Sequence, residues 1–279
     1  MKLAFSKMHG AGNDFVVVDL VTQNAQLDAA QVRRIADRKR GIGCDQVLLV
    51  EPPDDPDADF RYRIFNADGS EAGQCGNGAR CFGRFVRERQ LTFKRSLKVQ
   101  VPGGIMGLEI ANDGGITADL GAPIFSPAQI PFNAEAPALE YNLEVEGQTH
   151  RIGAVSMGNP HAVLLVDNCQ QAPVVALGRA IESHARFPER VNVGFMEILN
   201  KQEIRLRVYE RGAGETEACG TGACAAAVHG MRLGLLDRAV TVQLPGGKLQ
   251  VRWDSDDSAV WLGGPTASVF DGFYQLHRR

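Results

Sequence analysis

The sequence predicts an α+β protein of two pseudo-symmetric lobes, each a curved, mainly antiparallel sheet wrapped around a central helix. Three observations carry this. Gly73–Cys81 reads GQCGNGARC and Ala218–Ala226 reads ACGTGACAA, with Cys75 and Cys219, Gly76 and Gly220, Gly78 and Gly222, and Ala79 and Ala223 each 144 residues apart. Pro102-Gly103-Gly104 recurs as Pro245-Gly246-Gly247 after 143 residues, each behind an alternating β-branched run, and Phe15–Asp19 pairs with Val163–Asp167 at an offset of 148. Landmarks in one order at nearly constant offset mean duplicated halves. Finally, Ala223–Met231 is small and apolar nearly all round, which suits a helix enclosed by a sheet rather than lying on one.

At roughly 150 residues per domain, a chain of 279 residues makes two. The first lobe is expected at 1–120, carrying Cys75, and the second at 121–265, carrying Cys219, with the tail 266–279 returning to the first. The net charge is −3 with 23% charged residues and no basic run. Nothing there recommends nucleic acid or an anionic membrane, so the expected partner is a small molecule. Behind Lys2 there is no apolar stretch of about 7–15 residues, and no later run approaches the ~18 of a spanning helix. The six cysteines form no C-x-x-C pair and are too sparse for a disulfide scaffold. Reduced thiols, no metal site and a cytoplasmic chain are expected.

Leu3–Asp19 is a strand pattern broken by the Gly-rich turn His9–Asp14, a candidate site loop. Gln31–Arg40 has helical spacing and ends in basic residues before Gly41. Strands follow at Gln46–Glu51 and, after the Pro52–Pro56 turn, at Phe60–Asn66. The loop Asp68–Gly73 leads to Cys75 and a helix over Ala79–Gln90, in which Gly83 permits close packing. Strands at 97–101, 105–110 and 116–120 complete the half. The second half offers strands at 140–145, 149–155 and 162–166, the last entered by a Met157–His161 turn. A helix near 176–185, strands 192–199 and 203–210, the second Gly-rich loop, a helix over 223–234 and strands 240–244, 248–253 and 259–262 follow. Ala267–Leu276 is strand-like, with no counterpart at the end of the first half.

Each key cysteine follows a strand and loop and precedes a helix, so it lies at a helix N-terminus, where unpaired amides bind anions. Glycines 76, 78, 220 and 222 let the backbone approach closely, and a carboxylate cradled by the N–H groups of Gly76, Asn77, Gly220 and Thr221 is expected. A helix end contributes only about 0.3–1 kcal/mol, whereas one pKa unit is about 1.36 kcal/mol. Another group must therefore set the thiol pKa values; His161 and Glu210 are the candidates. Two thiols facing one carboxylate-bearing carbon from opposite sides suit two-base stereoinversion, one taking the α-proton and the other returning one.

MHGAGNDF, GIGCDQ at 41–46, FNADGSEAGQCGNGARC at 65–81, MGNPH at 157–161, RVNVGF at 190–195, YERGAGETEACGTGACA at 209–225 and VFDG at 269–272 together resemble the diaminopimelate epimerase family over essentially the whole chain. The resemblance implies a cofactor-independent epimerase interconverting LL- and meso-2,6-diaminopimelate in lysine and peptidoglycan precursor synthesis. It implies Cys75 as proton donor and Cys219 as proton acceptor, with His161 and Glu210 setting their pKa values. Gly76, Asn77, Gly220 and Thr221 resemble the family's carboxylate cradle. Asn13, Gln46, Asn66, Asn159, Asn192, Glu210 and Arg211 resemble its other substrate contacts, with Arg211 suited to bidentate binding of the distal carboxylate. A homodimer is implied, with the Phe270 region at its interface; Phe270 stands where the family often has tyrosine. Cys44 stands where a small residue such as alanine is expected.

Cys44, Cys81, Cys169 and Cys224 read as packing, and His9, His150, His184, His229 and His277 as structural or solvated. Three other functions use some of the same residues. A proline racemase would need a small apolar pocket instead of Arg211 and the asparagines. A redox protein would join Cys75 and Cys219 in a disulfide, which thiol titration tests. A phosphate-binding protein would use the Gly loops, but neither has a P-loop lysine.

Overall fold

The computed structural model describes residues 1–73 and 75–276, so His277 lies outside the described residues. The chain divides into two compact units, Leu120–Leu262 and, forming the other, Met1–Asp119 with the described part of Gly263–Arg279. In the first unit the order is β1 (Lys2–Gly10), β2 (Asn13–Asp19), α1 (Ala29–Ala36), β3 (Gln46–Glu51), β4 (Phe60–Asn66), β5 (Glu71–Ala72), α2 (Gly76–Glu88), β6 (Ser96–Val101), β7 (Gly104–Ile110) and β8 (Ile116–Asp119). The second runs β9 (Tyr141–Val145), β10 (Gln148–Ser156), β11 (Pro160–Leu165), α3 (Val174–Glu182), β12 (Asn192–Asn200), β13 (Glu203–Glu210), β14 (Gly214–Thr216), α4 (Gly220–Arg232), β15 (Ala239–Leu244), β16 (Gly247–Trp253) and β17 (Val260–Gly264). A last strand, β18 (Ala267–Gln275), completes the chain.

The two units repeat one set of pairings. In the first, β1/β2 is antiparallel, β2/β3 parallel, β3/β4 antiparallel, β4/β6 parallel and β6/β7 antiparallel. In the second, β10/β11, β11/β12, β12/β13, β13/β15 and β15/β16 repeat that sequence of directions. The protein is thus α+β, with mixed, mostly antiparallel sheets in two similar lobes. The counterpart of the strand Ala267–Gln275 lies at the start of the second half rather than the end of the first: β18 pairs antiparallel with β1 as β9 does with β10. The sequence hid this because the strand precedes its repeat in one half and follows it in the other.

Strand periodicity divides the core of each unit. In the first, Val16, Val18, Val47 and Leu49 pack with Val32 and Ile35 of α1. The alternate residues Phe15, Tyr62 and Ile64 face α2 around Gly78. In the second, Ala162, Leu164, Val193 and Phe195 pack with Val174 and Ile181 of α3, and Val208 and Met196 meet α4. Burial on both faces explains why β2, β3, β11 and β12 read as continuous apolar runs. α4 is buried along nearly its whole length. At Gly83 of α2 an added Cβ would lie 2.8 Å from Ile116, so that glycine does set a close approach.

Several boundaries differ from the sequence expectation. α1 starts at Ala29, because Asp28 and Gln31 form a capping box, and stops at Ala36 rather than Arg40. The turn expected over His9–Asp14 contracts to Ala11 and Gly12, and Pro160 and His161 belong to β11 rather than to the turn. Both central helices begin three residues before Ala79 and Ala223. Glycine at those positions reads as loop by propensity, but a capped start overrides it.

Candidate active site

The strand–loop–helix passage of each unit places its cysteine at the N-cap. Cys75 has extended φ/ψ, and its Sγ accepts from Gly78 N–H at 3.4 Å; Cys219 has the same conformation and accepts from Gly222 N–H at 3.4 Å. Each cysteine carbonyl accepts the first intrahelical bond, from Ala79 at 2.8 Å and from Ala223 at 2.9 Å. Thiol sulfur thus fills the place usually taken by a Ser or Asp oxygen. The amides of Gly76 and Asn77, and of Gly220 and Thr221, belong to the first turn and have no intrahelical acceptor. Asn77 Oδ1 accepts from Arg80 at 2.7 Å, and Arg80, wholly buried, also donates to Gly76 O at 3.2 Å. The cation sits behind the first of these helix ends.

In the first unit the Cys75 thiol donates to Asn13 Oδ1 at 3.6 Å. Asn13 opens β2, and its amide donates to Asp45 at 3.0 Å. Gln46 and Asn66 are cross-strand neighbours, the Gln46 amide donating to Asn66 Oδ1 at 3.0 Å, and Asn66 in turn reaches Ser70 Oγ at 3.1 Å.

In the second unit His161 and Asn192 are directly paired on β11 and β12. His161 Nε2 lies 3.0 Å from Asn159 Oδ1. Asn192 is buried, donating to Pro160 O at 2.9 Å and accepting from Arg211 N–H at 3.0 Å. It therefore braces the turn that presents Asn159 as well as the end of β13. Arg211 Nη1 donates to Glu189 O at 2.9 Å. Among the described residues no ion pair joins Glu210 to Arg211; Glu210 accepts instead from the Thr216 hydroxyl. Thr221 Oγ1 lies 3.7 Å from Cys219 Sγ.

The electrostatics of the two groups differ. Burial, then the Glu210 carboxylate, push the Cys219 thiol well above its ordinary value, against the Thr221 and Gly222 donors that favour the thiolate. The helix end alone does not offset that desolvation. Burial, reinforced by Arg211, pushes His161 down to about 3, so the imidazole is neutral at pH 7. Cys44, Cys81 and Cys169 are buried and raised by desolvation to about 11, 12 and 11, as expected of packing thiols. His184 is structural: its Nε2 lies 3.0 Å from Glu144 O and its Nδ1 accepts from Arg186 N–H at 3.2 Å.

Strand register makes the site residues equivalent in pairs. Phe15 aligns with Gln46 as His161 aligns with Asn192, and Gln46 faces Asn66 at the end of β4 as Asn192 precedes the Val193–Tyr209 pair that ends in Glu210. Asn13 thus corresponds to Asn159, Gln46 to Asn192, Asn66 to Glu210 and Cys75 to Cys219. His161 stands where the first unit has Phe15. Three contributors escaped the sequence reading. Tyr62 is buried with its hydroxyl 3.4 Å from Cys75 O; Arg80 and Asp45 are the others. For Tyr62 the signal was there: it is the inward aromatic of the alternating run FRYRIFN.

The family model for diaminopimelate epimerase matches residues 5–126 and 153–268. A diaminopimelate epimerase of Thioalkalivibrio sulfidiphilus is 60% identical over 274 residues, covering 98% of this chain and 99% of that protein. One of Stutzerimonas stutzeri is 56% identical over 276 residues, covering 99% and 100%. Among solved structures, a phenazine biosynthesis protein of the PhzF family from Bacillus anthracis superposes with a TM-score of 0.70 at 18% identity, covering 99% of this chain and 100% of that one; at that identity the likeness concerns the fold. On a match that runs through both lobes and both cysteine motifs, with relatives 56–60% identical over nearly the whole chain, the chain belongs to the diaminopimelate epimerase family.

Proposed function

We propose that this protein interconverts LL- and meso-2,6-diaminopimelate without a cofactor, in lysine and peptidoglycan precursor synthesis, by a two-base mechanism. The observation that carries the reading is the pair of N-cap cysteines, one in each of two similar lobes, each with its sulfur on an amide of the helix it starts. A helix N-terminus with unpaired amides favours both a bound carboxylate and the negative charge that spreads onto it when the α-proton leaves.

Cys219 acts as the proton acceptor and Cys75 as the donor. Cys219 is held as a thiol by burial and by Glu210, so its activation is a proton transfer rather than a standing thiolate, and Glu210 is the carboxylate beside it that receives the proton. His161, neutral at pH 7, serves as a hydrogen-bonding base rather than as a cation. Gly76, Asn77, Gly220 and Thr221 cradle the reacting carboxylate. Asn13, Gln46, Asn66, Asn159, Asn192, Glu210 and Arg211 contact the rest of the substrate; an Arg and several amides suit a second amino-acid end better than the ring of proline.

We also read the protein as a cytoplasmic homodimer. No helix among the described residues is long and apolar enough to cross a membrane. Val269, Phe270 and Phe273 of β18 are 56%, 48% and 74% exposed, apolar side chains on both faces of an exposed strand that a second copy would cover. Incubating purified protein with LL-diaminopimelate under reducing conditions and resolving the stereoisomers tests the activity. Meso product without added cofactor is expected; none, with turnover of proline instead, overturns the substrate assignment.

A further inference from the structure

Asp45 lies just before β3, outside the cysteine loops. Its Oδ2 accepts from Asn13 Nδ2 and from Asp14 N–H, both at 3.0 Å, and its Oδ1 pairs with Arg38 Nη2 at 2.8 Å. Asp14 reciprocates: its Oδ1 accepts from Asp45 N–H at 2.8 Å, and its carboxylate pairs with Arg38 and Lys7. Against the effect of burial, Arg38 and Lys7 hold the Asp14 carboxyl well below its ordinary range. Two carboxylates on two cations form a hydrogen-bonded base under the first residue of β2.

That base decides which way the Asn13 amide points. An ionised carboxylate only accepts hydrogen bonds, so Asn13 must present its NH2 to Asp45, which leaves Oδ1 toward the Cys75 thiol at 3.6 Å. A carbonyl oxygen against sulfur favours S–H over the thiolate. The second lobe lacks the device. The position equivalent to Asp45 is Val191, fully buried in an apolar core, and Asn159 turns its Oδ1 to His161. Within the first unit the ionisable groups around Cys75 include Tyr62 from β4 and Cys81 from α2, whose own protonation responds to charge on Cys75, and Arg80, which bonds Gly76 and Asn77 of the first turn.

We propose that Asp45 is a positioning residue which, by fixing the Asn13 amide, holds Cys75 as the protonated, proton-donating member of the pair. This rests on the donor role given to Cys75 above, and the test is chosen to read the thiol whether or not the enzyme turns over.

The rate of alkylation by iodoacetamide is followed against pH, with Cys75 identified by peptide mass. In the isosteric Asp45→Asn the Asn13 amide is free to flip, and the midpoint of Cys75 alkylation is expected to fall by about one pH unit, the size of one hydrogen bond. Loss of a negative charge alone would shift it the same way, so the substitution is repeated in an Asn13→Ala background. Coupling through Asn13 predicts that Asp45→Asn then has no further effect. An unchanged midpoint in Asp45→Asn, or a fall that persists in the double variant, overturns the proposal. Should Asp45→Asn fail to give a cooperative thermal melt, Asn13→Ala alone must still lower the midpoint, because the acceptor itself is gone. An epimerase assay of the wild type runs beside these, so that absence of turnover counts against the proposed function and not against the orientation of Asn13.

Discussion

Tyr62 and Cys75 are joined by a hydrogen bond from the buried phenol to the cysteine carbonyl oxygen at 3.4 Å. The same hydroxyl would lie 2.6 Å from a Cβ placed on Gly78, with Ile64 at 3.1 Å and Phe15 at 3.3 Å. Gly78 therefore lets the helix start pack against β4 while its N–H reaches the Cys75 sulfur. Gly78→Ala should cost about 1–3 kcal/mol of stability by overpacking, measured by urea unfolding, and should slow epimerisation. Adding Tyr62→Phe removes the tightest contact and should restore part of the loss. A Gly78→Ala protein as stable as the wild type would mean that the site tolerates a shifted helix start.

Glu210 separates thiolate population from activity. Its carboxylate is the second cause, after burial, of the raised Cys219 pKa. Glu210→Gln should move the alkylation midpoint of Cys219 downward, making the sulfur more reactive. The proton acceptor beside it would be gone, however, and general-base catalysis is worth about 10²–10⁴-fold, so kcat should fall by that order. A higher thiolate fraction with unchanged kcat would show that Glu210 takes no proton.

Buried histidines set the acid limb of stability. His161 and His229 are held down to about 3 and about 4 by burial, against about 6.5 in the unfolded chain. Between those values the unfolded state binds more protons, so the stability they contribute is complete above about 6.5 and is lost as pH falls toward 4. Each histidine adds a slope of up to about 1.36 kcal/mol per pH unit. His229→Gln should flatten the decline between about pH 6.5 and 4 by that amount, read from urea unfolding at several pH values. An unchanged slope would place the acid sensitivity elsewhere.

The exposed apolar side chains of β18 make an assembly prediction. Phe270 rests edge-on against Phe5 at 5.9 Å yet is half exposed, and Phe273 is more so. A charge at Phe273, as in Phe273→Asp, should leave the chain folded and lower its mass by light scattering from dimer to monomer. A wild type that is already monomeric at assay concentration would remove the dimer from the account.

Much of this was legible because duplication leaves fixed offsets. Cys75 and Cys219 read as helix N-termini because strand, glycine and small apolar residues follow one another in both copies. Gln46, Asn66, Asn192 and Glu210 were legible as candidates, but not the Gln46–Asn66 pairing or the place of Asn192 beside the Val193–Tyr209 pair, since register comes from neighbouring strands rather than from local sequence. The helix starts were misplaced because glycine lowers propensity while a cap restores it. Asp45 and Arg80 stayed invisible for a different reason: a charged residue that acts through an asparagine, or inside a helix turn, has no periodic signature. Strand β18 looked orphaned until its pairing with β1 matched that of β9 with β10.

The central claim is that two different groups handle the proton, and deuterium placement tests it most directly. LL-diaminopimelate is incubated in D2O, stopped at low conversion, and both stereoisomers are analysed at Cα. Two bases predict meso product carrying solvent deuterium while recovered LL substrate keeps its protium, with either Cys75→Ser or Cys219→Ser losing nearly all epimerisation. Deuterium entering recovered substrate as fast as product, or a serine variant that retains near-normal rates, would contradict the two-thiol account.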